Sequence, residues 1–343
     1  MRDFLKGLFG NRDTKNRIGQ AVLDERMPHA FLIDGYEGSG KLTLALEIAA
    51  ALVCEEKSNP DKALPCHECP ACRKVFSRSH VDVKIVERDE GKQIMSVDKA
   101  RFIRRDMFMS PTEAEYKIYI MRDADKMNTE AQNALLIALE EPPQNVVIIL
   151  LASGTDKILT TIKSRAQYIA MERFTREKIT EYLLGTLPEA RGIMESDRNG
   201  YELALIAADG RIGPAKSLIM PSERQELLSR REDILSLFSA IDSGDYTGIR
   251  DAFSVLPQDR YKLSLMLEEI SVAIRDMITV YYTEDAPLSF FLTSEDASET
   301  SYKIGLSKLY KLYDVIQKAH DDLSKMANVN ALVSLLIAKI KTL

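Results

Sequence analysis

The chain has no long hydrophobic run, no basic surplus and no cysteine outside one short window. Its longest apolar stretches, such as Ala45 to Cys54, are too short and too interrupted to cross a bilayer. The opening residues Met1-Arg2-Asp3-Phe4-Leu5-Lys6 lack the sustained apolar core of a signal peptide, so a cytoplasmic location without a membrane partner is expected. A net charge of −6 argues against a stand-alone nucleic-acid binder, which carries a basic surplus, while leaving room for DNA contact inside a larger assembly. Internal repeats and low-complexity tracts are absent. The four cysteines all fall between positions 54 and 72, and such clustering in a cytosolic chain points to metal rather than disulfides.

What is present is an ordinary globular composition, 45% hydrophobic and 29% charged, over 343 residues. That length suffices for two or three domains, each with its own core. Strand and helix patterns alternate as far as roughly residue 170. Strands are expected at Ala30–Ile33, Val81–Val86, Lys117–Met121, Val146–Leu151 and Tyr168–Ala170. Helices are expected at 14–26, 42–53, 71–77, 97–109 and 129–139, the fourth N-capped by Ser96. The nearly continuous aliphatic run Val146–Leu151 is what a buried parallel strand requires. The alternation implies a parallel sheet covered on both faces. Beyond Phe174 the periodicity turns helical: Thr175–Leu184, Tyr201–Ala208, a turn at Gly210–Pro214, then helices almost throughout from Pro221 to Leu343.

The stretch Gly35-Tyr36-Glu37-Gly38-Ser39-Gly40-Lys41 lies between the first strand and the second helix. In that context G-x-x-x-x-G-K is a phosphate cradle. Gly35, Gly38 and Gly40 let backbone N–H groups point inward, and Lys41 reaches for terminal phosphates. The next position should carry a hydroxyl for Mg²⁺, but it is Leu42. Thr43 comes one residue late, about 100° further round the helix. At the end of the second apolar strand, Asp123 stands where an active P-loop ATPase keeps its metal-associated acid. The neighbouring water-polarising glutamate is replaced by Ala124. Asp123 has a second reading as the cap of a turn. Hydrolysis by this chain alone is not expected.

The cysteine pattern is Cys54-x11-Cys66-x2-Cys69-x2-Cys72. Four thiolates close a tetrahedral Zn²⁺ site, and the two-residue gaps suit a knuckle. A redox C-x-x-C explains only two of the four. An iron–sulfur run wants its last cysteine beside proline three residues on, where Arg73-Lys74-Val75 stands. A structural zinc is therefore expected on Cys54, Cys66, Cys69 and Cys72, with His67 and His80 as surface residues. Finally, Ser164-Arg165 precedes the last strand. In a subunit that cannot hydrolyse, Arg165 can serve a neighbour's γ-phosphate, an effect worth roughly 10³–10⁵ in rate for arginine fingers.

Pro28-His29-Ala30-Phe31-Leu32, the glycine loop, the cysteine knuckle, Asn133-Ala134-Leu135-Leu136, Leu139-Glu140-Glu141-Pro142-Pro143 and Ser164-Arg165 occur in that order. The chain resembles the clamp-loader subunits of bacterial DNA polymerase III, an AAA+ family. The resemblance is clear for residues 1 to about 220 and rests on no strong motif beyond. It implies three parts: an AAA+ P-loop domain at 1–172 with an inserted zinc module at about 54–80, a helical lid at 173–220, and a helical collar at 221–343. The family's motor subunits, gamma and tau, keep Thr or Ser after the loop lysine, an Asp-Glu pair, and a sensor arginine in the lid. Leu42, Asp123-Ala124 and Gly213 stand at those places here, and Ser153 stands at the first sensor.

The Ser164-Arg165 motif is kept, although Ala166 follows where a cysteine is common. The pattern is similar to the delta-prime branch. It implies a non-hydrolysing stator in a hetero-pentamer with gamma/tau and delta subunits, acting on DNA and the sliding clamp through the complex during replication. Two alternatives stand beside it: an active AAA+ ATPase in which Thr43 and Asp123 improvise a metal site, and a zinc-dependent DNA-binding adaptor using Arg73, Lys74 and Arg78. A small-molecule kinase is more distant, since it has no use for a cysteine knuckle and long helical tail.

Overall fold

A computed structural model describes residues 2–89, 92, 94–254, 259–283, 287–325 and 327–343. The chain divides into two compact units, Met1–Arg173 and Phe174–Leu343.

The first unit runs α1 (Arg12–Leu23), β1 (Ala30–Asp34), α2 (Lys41–Val53), α3 (Pro70–Phe76), β2 (Val83–Val86), α4 (Val97–Asp106) and β3 (Lys117–Met121). A 3₁₀ turn at Ala124–Lys126 leads to α5 (Thr129–Glu140), β4 (Val146–Ala152), α6 (Thr160–Lys163) and β5 (Gln167–Ala170). All strand pairs are parallel and the order is β2-β3-β4-β1-β5, with Leu32 facing Leu150 on one side and Tyr168 on the other. The period-2 alternation decides the faces. Phe31, Ile33, Ile118, Ile120, Ile149 and Leu151 pack toward α1, α2 and α3. Leu32, Tyr119, Met121, Ile148 and Leu150 pack toward α4 and α5. Helix α2 is apolar nearly all round because it is covered on almost every side. Each large aliphatic side chain it buries, such as Ile48, contributes about 1.5–3 kcal/mol.

Several expected elements shift. Strand β2 starts at Val83 rather than Val81, which is 48% exposed. Helix α4 stops at Asp106, whose carboxylate is drawn to the sheet by Lys84 and Tyr119. His80 is not a surface residue: it is buried, and its Nδ1 accepts the Asp82 N–H at 3.2 Å. His67 is half-buried against Glu47 and stacked on Phe76.

The second unit is helical among the described residues: α7 (Arg176–Thr186), α8 (Ala190–Ser196), α9 (Arg198–Ala208), α10 (Ile212–Leu218), α11 (Pro221–Ser243), α12 (Tyr246–Ser254), α13 (Arg260–Tyr282), α14 (Ser294–Ile304), α15 (Leu306–Ser324) and α16 (Val329–Lys341). The helical run expected from Pro221 crosses positions 255–258, 284–286 and 326, which lie outside the described residues. Gly213 and Pro214 belong to the first turn of α10 rather than to a preceding turn. Proline is tolerated there because the first helical N–H groups have no intrahelical partner. Helices α11 to α16 share one core around Leu237, Phe238, Leu267, Ile270, Ile274 and Leu312. Within it the buried Asp276 carboxylate accepts the N–H groups of Ser289, Phe290 and Phe291, and the Arg231 guanidinium lies 4.0 Å from the Phe290 ring centroid.

Candidate functional site

In an open parallel sheet, ligands sit beyond the carboxyl ends of the strands, where the strand order reverses. Here that place is the crevice between β1 and β4, since the chain leaves β1 toward β2 on one side and leaves β4 for β5 on the other. The glycine loop emerges from β1, Ser153 follows β4, and Asp123 follows β3, so the sheet brings these sequence-predicted residues to one edge. Gly38 and Gly40 have φ of 77° and 94°, a left-handed backbone that favours glycine. At Gly35 an added Cβ would lie 2.8 Å from the Met171 side chain and 2.7 Å from Ser39 Oγ.

Lys41 opens α2, but its ammonium is turned onto its own loop. It donates to the carbonyl oxygens of Gly35 and Tyr36 and, at 3.0 Å, to Ser153 Oγ. Burial lowers the Lys41 pKa from its ordinary value, against the pull of Asp125, Glu37, Asp34 and Asp123. The next residue, Leu42, is half-buried and packs on the core, whereas Thr43 is exposed.

The carboxylates around the crevice divide their work in a way the sequence did not reveal. Asp123 has φ of 53°, and its Oδ2 accepts from Arg88 Nε at 2.9 Å. Its carboxylate is thus engaged by a cation, and its side chain does not cap the turn that follows. Ala124 is fully buried. The adjacent Asp125, not singled out from sequence, is buried and accepts the Ser153 N–H at 3.0 Å. Asp34 accepts the Gly154 N–H and the Tyr168 hydroxyl, each at 2.9 Å. Asp125, from the 3₁₀ turn after β3, and Asp34, at the end of β1, therefore brace the loop after β4 from two sides.

Arg165 follows the short helix α6. Its Nη1 donates to Thr161 O at 3.0 Å and Ser164 Oγ at 3.3 Å, while Nη2 lies 3.0 Å from Glu140 Oε1. The side chain remains 36% exposed. Ser164 Oγ donates to Thr161 O, so it finishes the turn that presents the arginine. The buried Gln132 of α5 holds the approach to α6: its amide donates to Met127 O and Lys157 O, and its Oε1 accepts the Leu159 N–H. Among the described residues, no hydrogen bond or ion pair links Arg165 to Lys41 or the glycine loop.

The four cysteines converge, all buried, with their sulfur atoms within 4.8 Å of one another. Four sulfurs about 2.3 Å from a tetrahedral Zn²⁺ are spaced about 3.8 Å apart, and Cys66 and Cys72 are already 3.9 Å apart. The N–H groups of Glu68 and Cys69 point at Cys66 Sγ, and that of Cys72 points at Cys69 Sγ, which stabilises thiolate charge. A hydrogen bond from Cys72 lowers Cys54 to about 5; the same bond, with burial, pushes Cys72 up. The donor set thus fits a soft dication. Neither His67 nor His80 joins it.

The loop 55–65 ties this module to the amino terminus. Arg2 donates to the carbonyl oxygens of Glu56, Lys57 and Lys62, and Leu64 pairs with Asp3 and Leu5. Of the knuckle cations, Lys74 pairs with Glu113 at 2.6 Å, while Arg73 and Arg78 are exposed.

Residues 10–175 match the family described as DNA polymerase III, delta subunit. The chain is 28% identical over 335 residues to DNA polymerase III subunit tau of Bacillus subtilis, covering 92% of this chain and 57% of that protein. It thus spans little more than half the length of that relative. It is 25% identical over 266 residues to subunit delta' of Bacillus subtilis, covering 76% of this chain and 74% of that one. With subunit delta' of Pseudomonas aeruginosa it shares 33% identity over 161 residues, 47% of this chain and 48% of the relative.

Proposed function

The chain belongs to the DNA polymerase III clamp-loader subunits, and from that premise we propose that it is a delta-prime-type stator whose Arg165 completes the ATP site of a neighbouring motor subunit. The observation that carries this reading is the contrast between two ends of one domain. At the crevice, Leu42 packs half-buried against the core, Ala124 is apolar, Asp123 is paired with Arg88 and Lys41 is bound to its own loop. At α6, a guanidinium stays half-exposed on an ordered turn. A subunit built this way contributes charge to another's phosphate better than it turns over its own.

In this reading Cys54, Cys66, Cys69 and Cys72 hold a structural Zn²⁺, which cross-links the end of α2 to α3 and leaves no open position for water. The glycine loop, Lys41, Thr43, Asp123 and Ser153 serve as scaffold rather than as a working nucleotide site. Residues 173–220 form the lid, and residues 221–343 form the collar that packs with gamma/tau and delta subunits in a hetero-pentamer in the cytoplasm. No described helix is long and apolar enough to cross a membrane. DNA and the sliding clamp are reached through that complex.

The test is reconstitution of the loader with Arg165→Ala. The expected result is loss of DNA-stimulated ATPase and clamp loading, by the roughly 10³-fold scale of an arginine finger at the affected site, with assembly intact. Wild-type rates in an assembled complex would sink the assignment. The tau similarity over 335 residues favours a second reading, an active gamma/tau-like ATPase. ATP turnover by the purified chain would support it against the stator.

A further inference from the structure

We infer that Glu140 is the positioning residue of Arg165. This rests on the finger reading above and adds to it a residue to which no role has been assigned. Glu140 is the last residue of α5 and Arg165 stands two residues beyond α6, so only the packing of these helices brings them together. The contact is Nη2 to Oε1 at 3.0 Å. Thr161 O and Ser164 Oγ take the hydrogens of Nη1. A guanidinium has more donors than these contacts use: among the described residues neither Nε nor Nη2 donates a hydrogen bond, and Nη2 faces Glu140 as an ion pair. These two groups are the adjacent donors that a phosphate accepts side by side.

Glu140 therefore does not need to leave when a phosphate arrives. It holds the guanidinium by charge and takes up none of its hydrogen bonds. A free arginine side chain loses substantial rotamer freedom on docking; here much of that ordering is already done by a carboxylate, a carbonyl and a hydroxyl. Both side chains are more than a third exposed. The ion pair thus orients the guanidinium without locking it, since pairs of this kind are weak and screened. The wider support is Gln132, which anchors the segment between the 3₁₀ turn and α6 and so sets the distance between α5 and the finger turn.

The experiment uses the reconstituted loader with Glu140→Ala, Glu140→Gln, Arg165→Ala and the double variant Glu140→Ala/Arg165→Ala, with assembly checked by co-elution. The expected result for Glu140→Ala is a fall of about two- to fivefold in the kcat of DNA-stimulated ATPase, the scale of an exposed pair, with the KM for ATP unchanged. Glu140→Gln keeps the size but removes the charge of the ion pair and should fall with Glu140→Ala, which a merely structural helix-end role does not predict; a Gln variant at wild-type rate overturns the inference. The double variant should be no slower than Arg165→Ala, because both changes act through one group. A Glu140→Ala complex as fast as wild type or faster overturns the inference, as does a further fall in the Arg165→Ala background. If Arg165→Ala is itself unimpaired, the finger reading fails and this one falls with it. If Arg165→Ala is impaired and Glu140→Ala is not, only the positioning role is lost.

Discussion

Asp106 supplies a sharp test of how the first unit is held together. Its Oδ2 accepts from Tyr119 Oη at 2.6 Å and Lys84 Nζ at 2.7 Å, with Lys117 Nζ at 3.1 Å. Burial alone would raise its pKa, but hydrogen bonds from Lys84, Tyr119 and Lys117, with the charge of Lys84, hold it down to about 2. The folded value is below the unfolded one, so the stabilisation is present above the unfolded pKa near 4 and is lost as pH falls toward 2.

The carboxylate side chain is only 13% exposed, so screening is limited. The difference converts to about 2 kcal/mol at neutral pH. For Asp106→Asn that predicts a drop of roughly 4–8 °C in the Tm of the first unit, read by circular dichroism at neutral pH. The gap between wild type and variant should shrink to about half near pH 3, to about a sixth near pH 2, and vanish below that. A variant with wild-type Tm at neutral pH, or a gap independent of pH, refutes the reasoning.

Three further outcomes are expected. Cys72→Ser, or a strong chelator, should release bound zinc and lower the Tm of the first unit; a metal-free preparation with unchanged Tm would remove zinc from the account, and metal analysis checks it directly. Isothermal titration of the chain with ATP and Mg²⁺ should give weak or no heat, because phosphate binding must displace Lys41 from Gly35, Tyr36 and Ser153; micromolar, Mg²⁺-dependent binding would contradict the scaffold role. Asp276→Ala strands the N–H groups of Ser289, Phe290 and Phe291 and should destabilise the second unit by about 2–4 kcal/mol in urea titration. Asp276→Asn keeps an acceptor and should cost clearly less.

Much of the architecture was legible because it is written in short periods. The aliphatic run Val146–Leu151 announced a buried strand, and the lysine after Gly40 announced a helix start at a phosphate loop. The cysteine spacing announced one cluster because gaps of two residues force neighbouring sulfurs to the same side. Boundaries were less legible. Val81 and Asp82 alternate like strand residues, yet β2 begins only at Val83, and the Asp82 carboxylate accepts the N–H groups of Thr112, Glu113 and Ala114. His80 reads as a polar loop residue and becomes buried because its ring nitrogen serves the Asp82 backbone.

The sequence by itself determined the chemical inventory: a phosphate loop lacking its hydroxyl, a strand end lacking its base, four clustered thiols and an arginine ahead of the last strand. These follow from residue type and local spacing, which tertiary contacts do not alter. Only the tertiary structure decided which donor is used up by which acceptor. Lys41 spends its hydrogen bonds on its own loop and Ser153, Asp123 is taken by Arg88, and Arg165 meets Glu140. Apart from the loop carbonyls next to Lys41, these partners are far apart in the chain, and the packing of sheet and helices chooses among many charged candidates that the sequence leaves equivalent.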